Sequence, residues 1–254
     1  VPELLGNGHD VIVVDNFMYK QNSLAALCSN PKFTVHNLDV RNRPEVKKLA
    51  QACDVIIPLA AYVGAPLCDK DPVGATTINK DAVLNLLSDI SQDQMVLMPT
   101  TNSAYGTGDK DNLCDENSPL KPISLYAKDK VAVEKQLMAR KNSISFRLAT
   151  VFGMSPKMRI DLLVNDFVYR AVYDRFVVLF EPKFKRNYIH IRDVARVFLH
   201  GIGNFNKMRG NVYNVGLSSA NLSKLELCEI ISKYQKGFVF LEAPIGKDPD
   251  QRNY

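Results

Sequence analysis

A tyrosine and a lysine four residues apart, Tyr126 and Lys130, follow two hydroxyl-bearing residues, Thr100 and Thr101, that close an apolar run at Met95–Met98. In a helix, positions i and i+4 lie on one face, so the phenol and the ammonium would point the same way. A nearby ammonium favours the phenolate and draws a tyrosine from its usual pKa of about 10 towards the working range of a general base. A threonine hydroxyl beside that phenol would complete a site able to handle the proton of an alcohol. The tetrad alone is a weak signal. With ten tyrosines in the chain, about one Tyr-x-x-x-Lys arises by chance, and a half-buried tyrosine beside a solvated lysine is its ordinary reading. The elements around it have to decide.

Those elements alternate. Val11–Val14 is a run of β-branched residues that ends at Asp15 and Asn16; Phe33–His36 runs on to Asp39; Val55–Ile57 leads into Leu59, Ala60 and Ala61. Met95–Met98 delivers Thr100 and Thr101, and Ser145–Ala149 forms a further strand. Between them the spacing predicts helices over 43–53, over 75–90 with Ile78, Ala82, Val83, Leu86 and Leu87 on one stripe, and over 126–139. Alternation of this kind predicts right-handed βαβ units and a doubly wound parallel sheet. Ligands of such sheets bind at the carboxyl ends of the strands, where Asp15, Asp39 and Thr101 fall. Beyond Gly153 the alternation loosens into helices over 158–173, 192–201 and 223–234, the last opened by Ser223 as N-cap, with short strands at 177–180, 187–190 and 211–215. The expectation is an α/β protein with a nucleotide-binding domain over residues 1–152 and a smaller substrate lobe over 153–254, partly interleaved with it.

Composition narrows the function. At 254 residues and 46% hydrophobic, the chain can bury a large core. The net charge of +5 comes without a long basic block, which argues against nucleic acid and suits an anionic small molecule. Five scattered cysteines with no Cys-x-x-Cys spacing read as free thiols in a reducing compartment, hence a cytoplasmic location. No apolar run reaches about 18 residues, so no membrane span is expected. His9, His36 and His200 have no metal-ligand spacing, and His190 reads as a hydrogen-bonded structural residue, so no metal is expected. Asp15, at a strand end, can accept hydrogen bonds from ribose hydroxyls and would repel a 2′-phosphate, which favours NAD over NADP. As an alternative it caps the next turn. The glycine-rich turn that usually holds the pyrophosphate does not occur here, and Val1–Leu5 with Gly6 reads as the last turns of a helix. Either this protein lacks such a turn or, as a chain opening mid-helix favours, the first strand and that turn are expected to precede Val1.

An ordered set of residues spans nearly the whole chain: Gly8-His9-Asp10-Val11, Asp15-Asn16-Phe17, Leu38-Asp39-Val40, Leu59-Ala60-Ala61, Asn79, Thr101-x-x-x-Tyr105-Gly106, Tyr126-x-x-x-Lys130, Arg147, and Arg186-Asn187-Tyr188-Ile189-His190-x-x-Asp193-Val194-Ala195. It resembles the extended short-chain dehydrogenase/reductase family, in particular the nucleotide-sugar epimerases and dehydratases typified by UDP-galactose 4-epimerase. The resemblance implies a Rossmann-like fold, NAD as cofactor, a nucleotide-diphosphate sugar as substrate, and a homodimer built on the helices over 75–90 and 126–139. By position, Asp15 and Asn16 would hold the adenosine ribose, Asp39 and Val40 would flank the adenine, and Leu59, Ala60 and Ala61 would line the dinucleotide with Asn79 near it. Thr101, Tyr126 and Lys130 would be the catalytic set, with Tyr126 and Lys130 also touching the cofactor.

Asn102, Ser103, Thr150, Asn165, Arg186 and Arg252 fall on the substrate side by the same correspondence, with Arg159 a further candidate. Thr150 stands where relatives usually carry an asparagine. A guanidinium fork at Arg186 suits a diphosphate, although it also reads as a surface arginine in the basic cluster with Lys183 and Lys185. The implied chemistry is transient oxidation of a sugar to a keto-sugar, with hydride returned to its other face. Relatives that resemble 4,6-dehydratases carry Asp-Glu directly after the catalytic threonine. Here those positions are Asn102 and Ser103, which cannot exchange a proton near neutrality as a carboxyl can. That favours an epimerase acting at carbon 4. A nucleotide-uronate decarboxylase and a keto-sugar reductase remain open, since both can use the same Thr-Tyr-Lys set. A non-catalytic dinucleotide sensor on the same fold would typically have lost the tyrosine or the lysine, and both are present.

Overall fold

The computed structural model describes residues 1–106 and 114–244. The chain opens with α1 (Pro2–Gly6), β1 (Val11–Asp15), β2 (Phe33–Asn37), α2 (Arg43–Gln51) and the two-residue β3 (Val55–Ile56). Next come α3 (Ala65–Lys70), α4 (Pro72–Thr76), a π-helical turn at Thr77–Asp81, α5 (Ala82–Asp89), β4 (Met95–Thr101) and α6 (Leu125–Leu137). After β5 (Ser143–Leu148) and β6 (Thr150–Phe152) follow α7 (Leu163–Tyr173), β7 (Phe176–Leu179), β8 (Lys185–His190), α8 (Ile191–Gly203) and α9 (Phe205–Met208). β9 (Asn211–Val215), β10 (Asn221–Ser223), α10 (Lys224–Tyr234) and β11 (Val239–Glu242) complete the described order. Two compact units emerge. One holds Val1–Ala104, Pro122–Arg147 and Ala195–Tyr213; the other holds the described parts of Tyr105–Lys121, Leu148–Val194 and Asn214–Tyr254.

In the first unit β4 is the central strand. β3, β4, β5 and β9 are hydrogen-bonded in that order, with β3 and β4 parallel. Val96, Leu97 and Met98 are all fully buried, as strands covered on both faces of a parallel sheet must be. Side chains alternate across a strand, so Val96 and Met98 face one helical layer. There they pack with Ala50 of α2, Val83 and Leu87 of α5, and Val133 and Leu137 of α6. Leu97 faces the opposite side with Phe146, whose ring meets Phe198 of α8 edge-on at 5.2 Å. Gly201 lets α8 approach closely, because a Cβ there would come 2.9 Å from Leu97 and Phe146. β1 and β2 form a separate parallel pair, in register from Val11 opposite Phe33 to Asp15 opposite Asn37. Arg140 donates to the carbonyls of Leu87 and Ser91, closing the end of α5.

The second unit has its own core. β6 pairs in parallel with β8, which pairs antiparallel with β10, while β7 and β11 form a parallel pair. Val164, Phe167 and Ala171 of α7 pack there with Leu179, Tyr188, Leu227 and Ile231. Ser223 caps α10 reciprocally: its hydroxyl accepts from the Glu226 amide and the Glu226 carboxylate accepts from the Ser223 amide, 2.7 Å away, a capping box.

Two helices differ from their sequence expectation. The run over 75–90 is helical from Pro72, but it carries the π turn at Thr77–Asp81, which periodicity counted at 3.6 cannot reveal. The helix expected over 158–173 starts only at Leu163. Before it Arg159 pairs with Asp161 at 2.7 Å, and Asn165 reaches back to the Arg159 carbonyl at 2.9 Å, so the side chains hold an irregular approach. β6, β10, β11 and α3 are too short to carry a periodic signal. Among the described residues no helix is long and apolar enough to cross a membrane.

A buried ion pair ties the first unit together: Arg147 on β5 forks onto Glu134 of α6, with Nη2 2.6 Å from Oε1 and both side chains almost out of water. Replacing one partner strands the other, at a cost of about 3–5 kcal/mol, whereas replacing both by apolar groups of similar volume is often close to neutral. Arg147→Met is therefore expected to lower unfolding stability by about that amount, and the double replacement Glu134→Leu with Arg147→Met to recover most of it, as urea melts of both proteins would register.

Candidate active site

β4 ends by presenting Pro99, Thr100 and Thr101 in succession, and a single 3-10 turn, Asn102–Tyr105, follows at once. Thr101 is 9% exposed, and its Oγ1 accepts from the Ser103 amide at 3.1 Å, which fixes the hydroxyl at the strand end. α6 begins at Ser124, an N-cap whose hydroxyl accepts from the Ala127 amide, so Tyr126 lies in the first turn and Lys130 one turn further. Lys130 Nζ lies 6.0 Å from the centroid of the Tyr126 ring and donates to the Pro99 carbonyl at 3.4 Å. All three residues of the expected catalytic set thus belong to one unit. Tyr126 is partly buried, while Lys130 is 3% exposed.

Burial dominates the electrostatics here. It pulls the Lys130 ammonium down to about 8 from its ordinary 10.5, against the opposing pull of Asp129 and Cys68. Asp129, its neighbour on α6, is also buried; desolvation pushes its carboxyl up, although Thr76 Oγ1 donates to it at 3.2 Å. The Cys68 thiol is likewise pushed up by burial. Low polarity around a lone ammonium raises the strength of whatever charge it meets.

Sequence reasoning missed the group that anchors this arrangement. Glu134 follows Lys130 by four residues and so continues the Tyr126–Lys130 face. Its carboxylate accepts from Thr100 Oγ1 at 3.0 Å, from Ser145 Oγ at 2.7 Å and from the Arg147 guanidinium. The signal was present in the spacing, since a carboxylate on a face that the period sends into the core needs a cation, and Arg147 was already in the motif set.

Of the residues expected near the cofactor, Asp15 and Asn16 sit exposed where β1 ends, each capping the turn that follows: Asp15 Oδ1 accepts from the Phe17 amide and Asn16 Oδ1 from the Met18 amide. Asp39 lies just past β2, beside Val40, and the bidentate hydrogen bonds of Arg41 hold its carboxyl down to about 2. Leu59 is exposed and Ala60 and Ala61 are half-buried in the stretch after β3. Asn79 is fully buried inside the π turn, and its amide pairs with both the N–H and the carbonyl of Tyr62, at 2.8 and 2.9 Å. It therefore braces the end of that stretch. Asn102, next to Thr101, is 8% exposed and its Oδ1 has no hydrogen-bond partner among the described residues. A buried acceptor left unpaired costs about 1–3 kcal/mol, so this position fits a ligand that donates to it. The buried, donor-rich Lys130 suits a dinucleotide's polar end, and the Asn102 acceptor suits a donor on the substrate side; the glycine-rich turn is not in this sequence.

The remaining substrate-side residues lie in the second unit. Thr150 opens β6 opposite Tyr188, and Arg186 is 5% exposed on β8 opposite Leu222. Asn165 accepts from the Gly153 amide at 3.0 Å as well as donating to Arg159, so both ends of its amide hold the 153–159 backbone. Gly153, at φ +110, lies against the His190 imidazole, leaving no room for a Cβ. Gly106, at φ +72, faces the Lys121 carbonyl with equally little room, which is the physical reason for a glycine after Tyr105. Arg252 lies outside the described residues.

The profile of the NAD dependent epimerase/dehydratase family matches residues 1–216. The chain is 28% identical to CDP-paratose 2-epimerase of Salmonella typhi over 98% of its own length and 84% of that protein's. It is 25% identical to UDP-glucuronic acid decarboxylase 1 of Arabidopsis thaliana over 92% of its length and 54% of that protein's. The crystal structure of UDP-glucuronic acid 4-epimerase from Bacillus cereus, solved with UDP-glucuronic acid and NAD, superposes with a TM-score of 0.83 at 21% identity, covering 100% of this chain and 84% of that one. With a Rossmann-type α/β architecture, the Thr-Tyr-Lys set on β4 and α6, and a match over most of its length, the chain belongs to the NAD dependent epimerase/dehydratase family of enzymes.

Proposed function

We propose that this enzyme epimerises a nucleotide-diphosphate sugar through transient oxidation to a keto-sugar, at carbon 4 in the first instance. The observation that carries the reading is the buried Lys130 ammonium, 6.0 Å from the Tyr126 ring on one face of α6 and bonded to the strand end that bears Thr101. Bound NAD supplies the hydride acceptor and donor. Tyr126, ionised with the help of Lys130, takes the proton of the sugar hydroxyl and returns it after the sugar has turned over. Thr101 Oγ1 shares a hydrogen bond with the same oxygen and fixes its distance. Lys130 has three donors; one goes to the Pro99 carbonyl, which leaves others for a ribose hydroxyl.

Asp15 and Asn16 hold the adenosine ribose, Asp39 and Val40 the adenine, and Leu59, Ala60 and Ala61 the dinucleotide, with Asn79 bracing them through Tyr62. Asn102 and Ser103 face the sugar, and Arg186 and Thr150 the diphosphate. Asn165 acts by holding the loop after Gly153. A second reading, decarboxylation of a nucleotide uronate, is supported by the likeness to the Arabidopsis decarboxylase, and it needs the same first oxidation.

If Tyr126 carries the proton, Tyr126→Phe should cut turnover of an NDP-hexose by about 10²–10⁴-fold while NAD is retained on gel filtration; unchanged turnover would remove the phenol from the mechanism. The lysine makes a separate statement. Lys130 binds its proton less readily when folded than when unfolded, so its burial penalty is full below pH 8 or so and fades as pH rises to the ordinary lysine range. Lys130→Met should accordingly raise the urea midpoint near neutral pH, by a margin that shrinks as pH rises through about 8 towards 10.5; a margin constant with pH would show that the ammonium is not buried in solution. Two copies associate through the helical face spanning α4, α5 and α6, a two-fold arrangement. Light scattering at micromolar concentration should return twice the chain mass, and a monomer would reject the dimer.

A further inference from the structure

The helix that carries Tyr126 and Lys130 is attached to the strand that carries Thr101 at two heights. Lys130 donates to the carbonyl of Pro99, and Glu134, one turn on, accepts from the hydroxyl of the next residue, Thr100, at 3.0 Å. Four residues advance an α-helix by about 6 Å, so the two ties sit a full turn apart. Added to the packing of Val133 and Leu137 against Val96 and Met98, two polar ties a turn apart define both the rotation and the axial position of the helix on the strand. The second tie is itself immobilised. Ser145 Oγ lies 2.9 Å from Thr100 Oγ1 and 2.7 Å from Glu134, and Arg147 forks onto the same carboxylate. Thr100, Glu134, Ser145 and Arg147 are all at most 5% exposed, so no water competes for the bonds and each is stronger for it.

We infer that Glu134 and Thr100 are positioning residues, which set the register of α6 on β4 so that the Tyr126 hydroxyl and Thr101 Oγ1 address one substrate oxygen. This rests on the proposed proton transfer between Tyr126 and a sugar hydroxyl. Neither residue touches substrate. Thr100 side chain and Thr101 side chain lie on opposite faces of the strand, so the first can grip the helix network while the second stays with the reacting atoms. Misplacement by about 1 Å of a reacting group can cost on the order of a hundredfold in rate, which is the scale on which a slipped helix would be felt.

The pair Thr100→Val and Thr100→Ser tests this. Valine keeps the shape and leaves Glu134 bonded to Ser145 and Arg147, so the protein should fold; serine restores the hydroxyl. For Thr100→Val kcat is expected to fall between about tenfold and a hundredfold, with KM for the nucleotide sugar and NADH affinity by nicotinamide fluorescence within about twofold, and Thr100→Ser should keep the wild-type kcat. A Thr100→Val enzyme with unaltered kcat per folded site, even with a lower melting temperature, would overturn the assignment, as would equal loss in Thr100→Ser. If the wild-type protein converts no nucleotide sugar, the proposed function fails on its own. Positioning is then decided by the crystal structure of Thr100→Val. A change of about an ångström or more in the Tyr126 hydroxyl to Thr101 Oγ1 distance sustains it, and an unchanged distance overturns it.

Discussion

Taking an ammonium out of water costs several kcal/mol even after the surroundings relax, and the first unit is arranged around having done so at Lys130. The cost is met only in part, by the Pro99 carbonyl at 3.4 Å, the fields of Asp129 and Cys68, and the Tyr126 ring at 6.0 Å. An ammonium so placed has a weak hold on its proton and a strong effect on any neighbouring anion, because little water screens it. Both consequences favour ionisation of the neighbouring phenol, which the proposed proton transfer requires. The residual penalty is carried by packing elsewhere, in the closely filled layers of Val96, Met98, Val133 and Leu137 on one side of β4 and Leu97 and Phe146 on the other. On the proposed reading, stability and reactivity are divided between the two ends of one helix: Val133 and Leu137 fill the core, and Tyr126 and Lys130 hold the chemistry.

Much of this could be read from the chain. β4 announced itself as an apolar run ending in polar residues, because a strand buried on both faces has no solvent side to write into its sequence. Tyr126 and Lys130 were legible for the opposite reason: their spacing puts two chemically linked groups on one face whatever the tertiary setting. Of the polar cluster beneath them only Glu134 was legible, because its spacing continues the same face. Thr100, Ser145 and Glu134 come from three elements far apart in sequence, and nothing local distinguishes a threonine that faces a buried carboxylate from one that faces solvent.

Loops were harder still. The residues 158–162 have helical spacing, yet Arg159 is engaged by Asp161 and by Asn165, and the helix waits until Leu163. Asn165 and Asn79 share a lesson. Both are expected on the ligand side, and in the structure both amides bind backbone, Asn165 that of Gly153 and Arg159, Asn79 that of Tyr62, with Asn79 Nδ2 also 3.8 Å from Cys68 Sγ. A primary amide can mimic a peptide group and splice irregular chain into place, and such splices cluster where loops must be held open for a ligand.

The π turn at Thr77–Asp81 has a bearing on how this chain should be compared with others. A π turn accommodates one residue more than an α turn, so the stripe before it and the stripe after it belong to two different helical wheels, joined at Asn79. Removing a single residue there would leave a perfectly good helix with its two halves rotated into phase, and the asparagine would no longer look towards Tyr62. The extra residue of this turn is thus what lets Asn79 brace the stretch after β3 without breaking the helix.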